Sequence, residues 1–240
     1  MSKLTIYNLR KIIRESVETV LSGVDEAVYP QSFNIERFRS CRSFNARQAY
    51  CNSTLERLGS GSSRIVYKID DNTVLKLAKN QKGVAQNLRE ISVGTENYYQ
   101  SSGLFAEVYD YDENGLWLEM QYARPALQKD WKRIYGFGFQ LIVDYIEYIT
   151  EGYSRHKSFF LSSEMREFFN SEKFEEMYED YDMPFIGLHE FLGNEQIQAF
   201  GDFQRKSTWG VVKDKDGSER IVIIDYGIDD DVWKNYYSKR

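Results

Sequence analysis

The sequence lacks the features that would place it in a membrane, in an oxidising compartment or on nucleic acid. Its 240 residues include two cysteines, Cys41 and Cys51, which do not have the spacing of a metal site. No apolar run approaches the roughly 18 residues that a membrane span needs, and the start of the chain does not resemble a signal peptide. The formal net charge of −6 argues against nucleic acid or an anionic membrane surface as a partner. We therefore expect a cytoplasmic protein with reduced thiols, and partners that are proteins or small ligands.

Proline and histidine are scarce as well. The three prolines suit an ordered chain with long helices. The two histidines, His156 and His189, are isolated from each other and from any candidate nucleophile, so we interpret both as surface or structural residues. Tyrosine occurs 18 times, and these rings can either fill a core or form an external contact surface. The sequence leaves both interpretations open.

Residues 1–50 form a region of their own. Apolar residues within 5–22 recur on one helical face and Gly23 can end the helix, so the pattern predicts an amphipathic helix. That helix could pack on its own chain or dock another protein. Residues 24–50 are polar and contain Pro30, which indicates either a linker or an irregular wrap around the following domain.

Beyond residue 50, apolar periodicity predicts strands first and helices later. Residues 54–78 predict three antiparallel strands, with a glycine turn after the first and Asp70-Asp71-Asn72 after the second. A helix over 84–100 and strands near 104–111 and 115–122 complete a β-β-β-α-β-β order. Later segments are predicted as helices over 129–150, 162–180 and 189–199, and as a hairpin of strands over 208–213 and 220–225.

The glycine turn carries the most chemical information. It begins Leu58-Gly59-Ser60-Gly61, and its two glycines let the backbone approach an anion with its N–H groups. Lys76 follows within the apolar strand Val74-Leu75-Lys76-Leu77. A buried ammonium group is costly without a partner, so Lys76 should contact a phosphate, a carboxylate or both. The pattern therefore indicates a nucleoside triphosphate site.

Two acidic landmarks occur in the second half of the chain. The apolar strand Ile221-Val222-Ile223-Ile224 ends in Asp225-Tyr226-Gly227, and Phe200-Gly201-Asp202-Phe203 lies upstream. Together with the glycine turn and the strand lysine, these motifs resemble the protein-kinase superfamily. The resemblance implies an α+β bilobal fold, with an antiparallel five-stranded N-lobe and one helix over 51–123. A mainly helical C-lobe would follow over 124–240, truncated because the chain continues only to Arg240.

The resemblance implies a role for each matched residue of the N-lobe. The residues that would cover the nucleotide are Leu58, Gly59, Ser60, Gly61, Ser62 and Val66. Arg64 stands where the family has a third glycine, and its charge could aid or block anion binding. Lys76 would contact the phosphates and pair with Glu90, with Glu96 as the fallback partner. The hinge that contacts adenine would comprise Met120 in the gatekeeper position and backbone groups of Gln121 and Ala123.

In the C-lobe, the resemblance makes Asp202 the catalytic base and Asp225 the magnesium ligand. Arg205 would neutralise a transferred phosphoryl group. The family's asparagine, five residues after the base, is Ser207 here, a poorer metal ligand, and Gln204 is a possible substitute.

Parts of the chain are also similar to bacteriophage kinase-like proteins. These parts are 79–87 after the lysine strand, Gly201-Asp202 with Arg205 and Trp209-Gly210, and Asp225-Tyr226-Gly227 with the tail over 232–237.

The implied function is an ATP- and magnesium-dependent phosphotransferase that acts on a protein Ser or Thr hydroxyl or on its own chain. If the chain is phage-encoded, it would act in the host cytoplasm, where a host protein could be its partner. Ser207 and Arg64 keep open a pseudokinase that serves as a nucleotide- or protein-binding module. The Phe200-Gly201-Asp202 loop keeps open a small-molecule kinase.

Overall fold

The computed structural model describes residues 27–152, 200–214 and 216–238, together with residues 163, 166, 167, 170, 171, 187, 188, 191 and 192. The predicted amphipathic helix over 5–22 and most of the predicted helices over 162–180 and 189–199 lie outside these residues, as do His156 and His189. None of the helices within the described ranges is long and apolar enough to cross a membrane.

The described elements form an α+β arrangement, in which most strands lie in the first half of the chain. The helices are α1 (Ile35–Ser40), α2 (Phe44–Thr54), α3 (Gln81–Gly94), α4 (Asn97–Ser101), α5 (Gln128–Ile134), α6 (Phe139–Gly152) and α7 (Asp230–Tyr236). The strands are β1 (Glu56–Ser60), β2 (Arg64–Lys68), β3 (Thr73–Ala78), β4 (Val108–Tyr111), β5 (Trp117–Gln121), β6 (Arg124–Pro125), β7 (Trp209–Lys213) and β8 (Glu219–Ile223). Short 3-10 turns span Phe200–Asp202 and Lys206–Thr208.

The first five strands form one antiparallel sheet in the order β1-β2-β3-β5-β4. Lys76 on the central strand β3 is opposite Val66 of β2 and Leu118 of β5, so these three side chains share the inner face. Leu75 and Leu77 point to the outer face by the same alternation. Every residue of β3 is buried, because both faces of the sheet are covered. This explains why an apolar run surrounds a single lysine.

The outer face is covered by residues 27–55. The segment that the sequence left open as a linker or a wrap contains α1 and α2, capped by the side chains of Asn34 and Ser43. Its buried residues pack with those of the sheet in one cluster, which comprises Phe33, Phe38, Cys51, Leu55, Ile65, Tyr67, Ile69, Leu75, Leu77 and Trp117. Residues 27–55 are therefore part of the sheet's own core.

A buried carboxyl group joins this segment to the sheet. Glu119 of β5 is 1% exposed, and the Tyr29 hydroxyl donates to its Oε1 at 2.8 Å and its Oε2 at 3.0 Å. Burial, helped by the negative charges of Asp110 and Asp70, raises the pKa of Glu119 to about 7, although the Tyr29 hydrogen bond and Arg39 act in the opposite direction.

Helix α3 lies against the other side of β3 and reaches the glycine turn. The Asn80 side chain accepts a hydrogen bond from the Gly83 N–H and caps the helix. A Cβ at position 83 would lie 2.2 Å from the Ser63 carbonyl oxygen, so glycine is what permits this close approach. The helix ends at Gly94, and α4 begins at Asn97. The prediction of one helix over 84–100 was therefore wrong in its continuity.

The second sheet has the order β6-β7-β8 and presents the chain that carries Asp225. It contacts the first half through residues 104–106: the Ile223 N–H donates to the Leu104 carbonyl, and the Ala106 N–H donates to the Ile223 carbonyl. Residues 104–107 thus do not extend β4 as predicted, because Phe105 forms a parallel bridge with Ile223 instead. The strand predicted to reach 225 ends at Ile223, which leaves Ile224 and Asp225 outside the ladder.

The helix predicted over 129–150 is interrupted. Helix α5 ends at Ile134 and α6 begins at Phe139, and Gly136 between them has a φ of +81°, which favours glycine. The predicted α+β class, with an antiparallel five-stranded sheet in β-β-β-α-β-β order, is confirmed.

The buried Glu119 should make stability fall as the pH rises. The folded chain holds this proton more tightly than the unfolded chain, where the ordinary pKa is 4.5. Ionisation of Glu119 should therefore lower the free energy of unfolding by about 3 kcal/mol between pH 4.5 and pH 7, with no further loss above pH 7. Glu119→Gln should remove this pH-dependent loss of stability. The free energy of unfolding of the variant should therefore rise relative to that of wild type between pH 4.5 and pH 7, as measured by urea unfolding. Glu113→Gln, at an exposed turn position, is the matched control. Parallel curves for wild type and Glu119→Gln would contradict the assignment.

Candidate nucleotide site

The glycine turn between β1 and β2 is open on its outer side. The Gly61 N–H donates to the Arg64 carbonyl at 2.9 Å, and the Lys79 ammonium donates to the Gly61 carbonyl at 3.0 Å. A Cβ added at Gly59 or Gly61 would meet no heavy atom within 4 Å, and neither residue has a positive φ. The fold itself therefore does not require glycine at these two positions.

Beneath the turn, Lys76 and Glu90 are in contact. The Lys76 Nζ lies 2.7 Å from Glu90 Oε2 and donates a second hydrogen bond to the Ile224 carbonyl at 2.5 Å. Glu90 is fully buried, and its Oε1 accepts a hydrogen bond from the Tyr226 N–H at 3.2 Å. Burial and the charge of Arg64 lower the pKa of Lys76, against the opposing effects of Glu90 and Asp225. These contacts connect β3, α3 and the Asp225-Tyr226-Gly227 segment.

Arg64 joins the same cluster. Its Nη1 lies 2.9 Å from Glu90 Oε2 and its Nη2 lies 2.5 Å from Asp225 Oδ1, while Nη1 also donates to Asn87 Oδ1 at 3.3 Å. Arg64 is 7% exposed. Burial lowers the pKa of Arg64, but the charges of Glu90 and Asp225 raise it by a larger amount. The guanidinium is therefore firmly charged. The sequence placed Arg64 near the phosphates but did not predict that it would bridge two carboxylates.

Asp225 lies at the edge of this cluster and also faces solvent. Its side chain is 52% exposed, although its Oδ1 contacts Arg64. Burial raises the pKa of Asp225, but the charges of Arg64 and Lys76 lower it more. The pKa of Asp225 therefore lies below its ordinary value.

Asp202 lies at the end of the short turn Phe200–Asp202 in the second half of the chain. The Thr208 hydroxyl donates to the Asp202 carbonyl and the Trp209 indole N–H donates to the Phe203 carbonyl, which fixes the backbone here. Burial raises the pKa of Asp202 and the nearby charge of Asp225 raises it further, whereas Arg205 lowers it. Arg205 Nη1 lies 2.9 Å from Asp202 Oδ1, with most of the Arg205 side chain exposed. The two carboxylates are thus close enough to influence each other.

The candidate magnesium ligands are Asp225 and Ser207, and only Asp225 offers a carboxylate. Mg²⁺ is usually held by one or two carboxylates, together with phosphate oxygens and waters. Asp225 provides one accessible carboxylate. Ser207 lies in the exposed turn Lys206–Thr208, and within the described ranges no cluster of three or more His, Cys, Asp or Glu side chains could hold a metal. An ion here would therefore be held by Asp225 together with a nucleotide, in competition with Arg64, rather than by a cage of protein ligands.

The predicted adenine contacts lie along the inner face and the strand end. Val66 packs against the main core, Met120 and Ala123 are buried, and Leu58 is 41% exposed on β1. The Gln121 N–H donates to the Glu107 carbonyl at 2.8 Å, so this N–H already has a partner within the protein. Ser60 and Ser62 lie on the exposed turn, where they contact Lys79 and Lys82 at 3.4 Å and 3.3 Å.

Some contacts beside the site were not predicted. The Ser63 hydroxyl donates to Gln86 Oε1 at 2.5 Å, and Gln86 Nε2 donates to the Tyr237 hydroxyl at 2.9 Å. The Lys82 ammonium lies 3.4 Å from the centre of the Tyr237 ring. These contacts join the base of the glycine turn to α3 and to the end of α7. A surface cavity of about 670 Å³ lies elsewhere, lined by Arg124, Leu127, Lys129, Asp130 and Arg133.

Comparison with known proteins identifies no family. No protein-family model and no curated protein matches the chain. Among solved structures, the chain is similar to the aminoglycoside phosphotransferase APH(2")-IIa in a ternary complex with streptomycin and ATP, at 16% sequence identity and a TM-score of 0.30. The alignment covers 72% of this chain and 66% of that one, slightly less than two thirds of its length. Similarity at this level transfers neither a substrate nor an activity.

The cluster around Glu90 should be the most sensitive part of the site to substitution. Glu90→Gln would leave two buried cations, Lys76 and Arg64, without their shared carboxylate. We expect the free energy of unfolding to fall by about 3–5 kcal/mol, measured by urea denaturation. Glu96→Gln is the matched control, because Glu96 is exposed at the start of α4 and its side chain makes no capping hydrogen bond. Equal stabilities of the two variants would show that the shared contact is unimportant.

Proposed function

We propose that the chain is an ATP-dependent phosphotransferase that transfers the γ-phosphoryl group to an alcohol, namely a protein Ser or Thr hydroxyl or one of its own chain. The observation that carries the proposal is the set of contacts that joins Lys76, Arg64, Glu90 and Asp225 beneath a glycine turn with open space around it. The contacting residues come from β2, β3, α3 and the segment after β8, so their meeting is a property of the fold rather than of a local motif. Asp202 is near enough to Asp225 for the charge of Asp225 to raise the pKa of Asp202.

In this proposal the turn and the lysine bind the triphosphate. Gly59 and Gly61 would let backbone N–H groups approach the phosphates, which gives these residues a purpose that the fold alone does not provide. The Lys76 ammonium, positioned by Glu90, would contact the α- and β-phosphates. Leu58, Val66 and the strand end at Met120 to Ala123 would surround the base.

Asp202 would accept the proton of the attacking hydroxyl. Its pKa lies above the ordinary value of 3.8, and a less acidic carboxylate is a better proton acceptor near neutral pH. Arg205, in contact with Asp202, would stabilise charge on the phosphoryl group during transfer. The bond from the acceptor oxygen to the γ-phosphorus forms as the bond from that phosphorus to the bridging oxygen breaks, and ADP leaves.

Magnesium enters the proposal at the transfer step through Asp225, whose carboxylate it would have to share with Arg64. A bound magnesium ion would supply positive charge that offsets the charge of the phosphates. Asp225 would provide the carboxylate ligand, and the hydroxyl of Ser207 would be a second, weaker ligand.

A pseudokinase is the second candidate, and the Arg64–Asp225 ion pair favours it. An aspartate that already has a cationic partner is less available to a metal than a free one. In that case the chain would bind nucleotide or a partner protein without transfer.

The proposal also includes a cytoplasmic setting and a protein partner. The two cysteines are both free thiols, which suits a reducing compartment. If the chain is phage-encoded, the compartment would be the host cytoplasm and the partner a host protein.

Radiolabelled ATP tests the transfer directly. Asp202→Asn should lower the rate of transfer by roughly 10²–10⁴-fold, because it removes the proton acceptor while leaving the phosphate contacts in place. Nucleotide affinity, measured as the rise in melting temperature with added ATP, should change little. Asp216→Asn, at an exposed turn between β7 and β8, is the matched control and should transfer like wild type.

The outcomes separate the two candidates. Stabilisation by ATP with no transfer by the wild type would favour the pseudokinase. Undiminished transfer by Asp202→Asn would remove Asp202 from the role of base.

A further inference from the structure

Arg64 is positioned as a fixed cation at the centre of the site. It begins strand β2, where its backbone pairs with Ala78, and its guanidinium contacts Asn87, Glu90 and Asp225. The residue before it is also held, because the Ser63 hydroxyl bonds to Gln86 on α3. The guanidinium is therefore fixed from both its backbone and its far end.

The charges of the cluster are balanced without a metal. Lys76 and Arg64 provide two positive charges, and Glu90 and Asp225 provide two negative ones. A divalent cation at Asp225 would have to displace the Arg64 Nη2 from Oδ1 or share the carboxylate with it. Mg²⁺ also gives up its waters reluctantly and demands near-octahedral geometry, so a carboxylate already paired with a guanidinium is a poor ligand for it.

A guanidinium can supply part of what the metal supplies. It remains charged at any ordinary pH, and its planar set of N–H donors matches phosphate oxygens in a bidentate manner. Arg64 lies at the base of the turn that would cover the phosphates, directly after Ser62 and Ser63. A phosphate bound beneath Gly61 would lie next to this charge.

We propose that Arg64 is a tethered cation that replaces the divalent metal as the counter-charge of Asp225, so that this chain binds nucleotide phosphates without a divalent cation. The inference rests on the proposed nucleotide site, and it concerns binding rather than transfer.

The test is the binding of ATP that carries a fluorescent label on its ribose, titrated in EDTA and in excess MgCl₂. Wild type should bind with Kd values that agree within about threefold between the two buffers. Arg64→Met should bind in MgCl₂ but lose about tenfold or more of its affinity in EDTA, because the charge at Asp225 must then come from the metal. Methionine retains an unbranched apolar stem, Glu90 keeps Lys76 as its partner, and Asp225 is half exposed, so folding should survive.

Lys76→Met is the matched control. It removes the other cation of the cluster but leaves Arg64 on Asp225, so its affinity should fall by a similar factor in both buffers. Circular dichroism checks the folding of each variant. If Arg64→Met does not fold, Arg64→Lys takes its place, since a lysine keeps a charge but cannot bridge Glu90 and Asp225, and its affinity in EDTA should still fall relative to that in MgCl₂.

Three results would overturn the inference. Wild-type binding that weakens about tenfold or more in EDTA would show that the metal is needed, and would leave the proposed nucleotide site intact. If the ratio of the Kd in EDTA to the Kd in MgCl₂ were the same for wild type and for the Arg64 variant, Arg64 would not set the metal dependence of binding. Absence of wild-type binding in both buffers would remove the nucleotide site itself, and the inference with it.

Discussion

The structure depends on one fully buried carboxylate that serves two cations. Glu90 on helix α3 accepts from Lys76 and Arg64 and also from the Tyr226 backbone N–H. Buried charges are tolerated only when they are paired and hydrogen-bonded, so each of these groups constrains the positions of the others. The central strand, the glycine turn, the helix and the Asp225 segment are held together by this requirement. Four charged side chains can lie together here because the two positive charges of Lys76 and Arg64 compensate the two negative charges of Glu90 and Asp225.

That arrangement sets the chemical character of the site. Asp225 has a lowered pKa beside the guanidinium of Arg64, whereas burial and the charge of Asp225 raise the pKa of Asp202 despite its contact with Arg205. Two neighbouring carboxylates with pKa values shifted in opposite directions can serve different roles, one as a charged ligand and the other as a proton acceptor. The contact with Arg64 lowers the pKa of Asp225. The same contact would compete with any cation that bound to the Asp225 carboxylate.

Much of the first half could be predicted because its signals are local. Turn residues at 70–72 separate β2 from β3, and the 14-residue spacing from Lys76 to Glu90 places a glutamate on the buried side of the next helix. The Arg64 contacts could not be predicted, because a long flexible side chain can reach several partners and the sequence does not fix which. Residues 27–55 were equally hard to place. Their helices are short and polar, so the packing of Phe33 and Phe38 depends on a sheet distant in sequence. The break at Gly136 was missed because apolar spacing continues on both sides of it.

The covering of the outer sheet face by residues 27–55 has a practical consequence for dissecting this protein. Cutting the chain at residue 51, where the glycine-turn region begins, would strip Phe33 and Phe38 from Trp117 and Leu75 and leave the Glu119 carboxyl without its phenol. A recombinant fragment that starts there would expose a large apolar surface to solvent, and we expect it to aggregate. Any shortened version intended for biochemistry should begin upstream of Ala27.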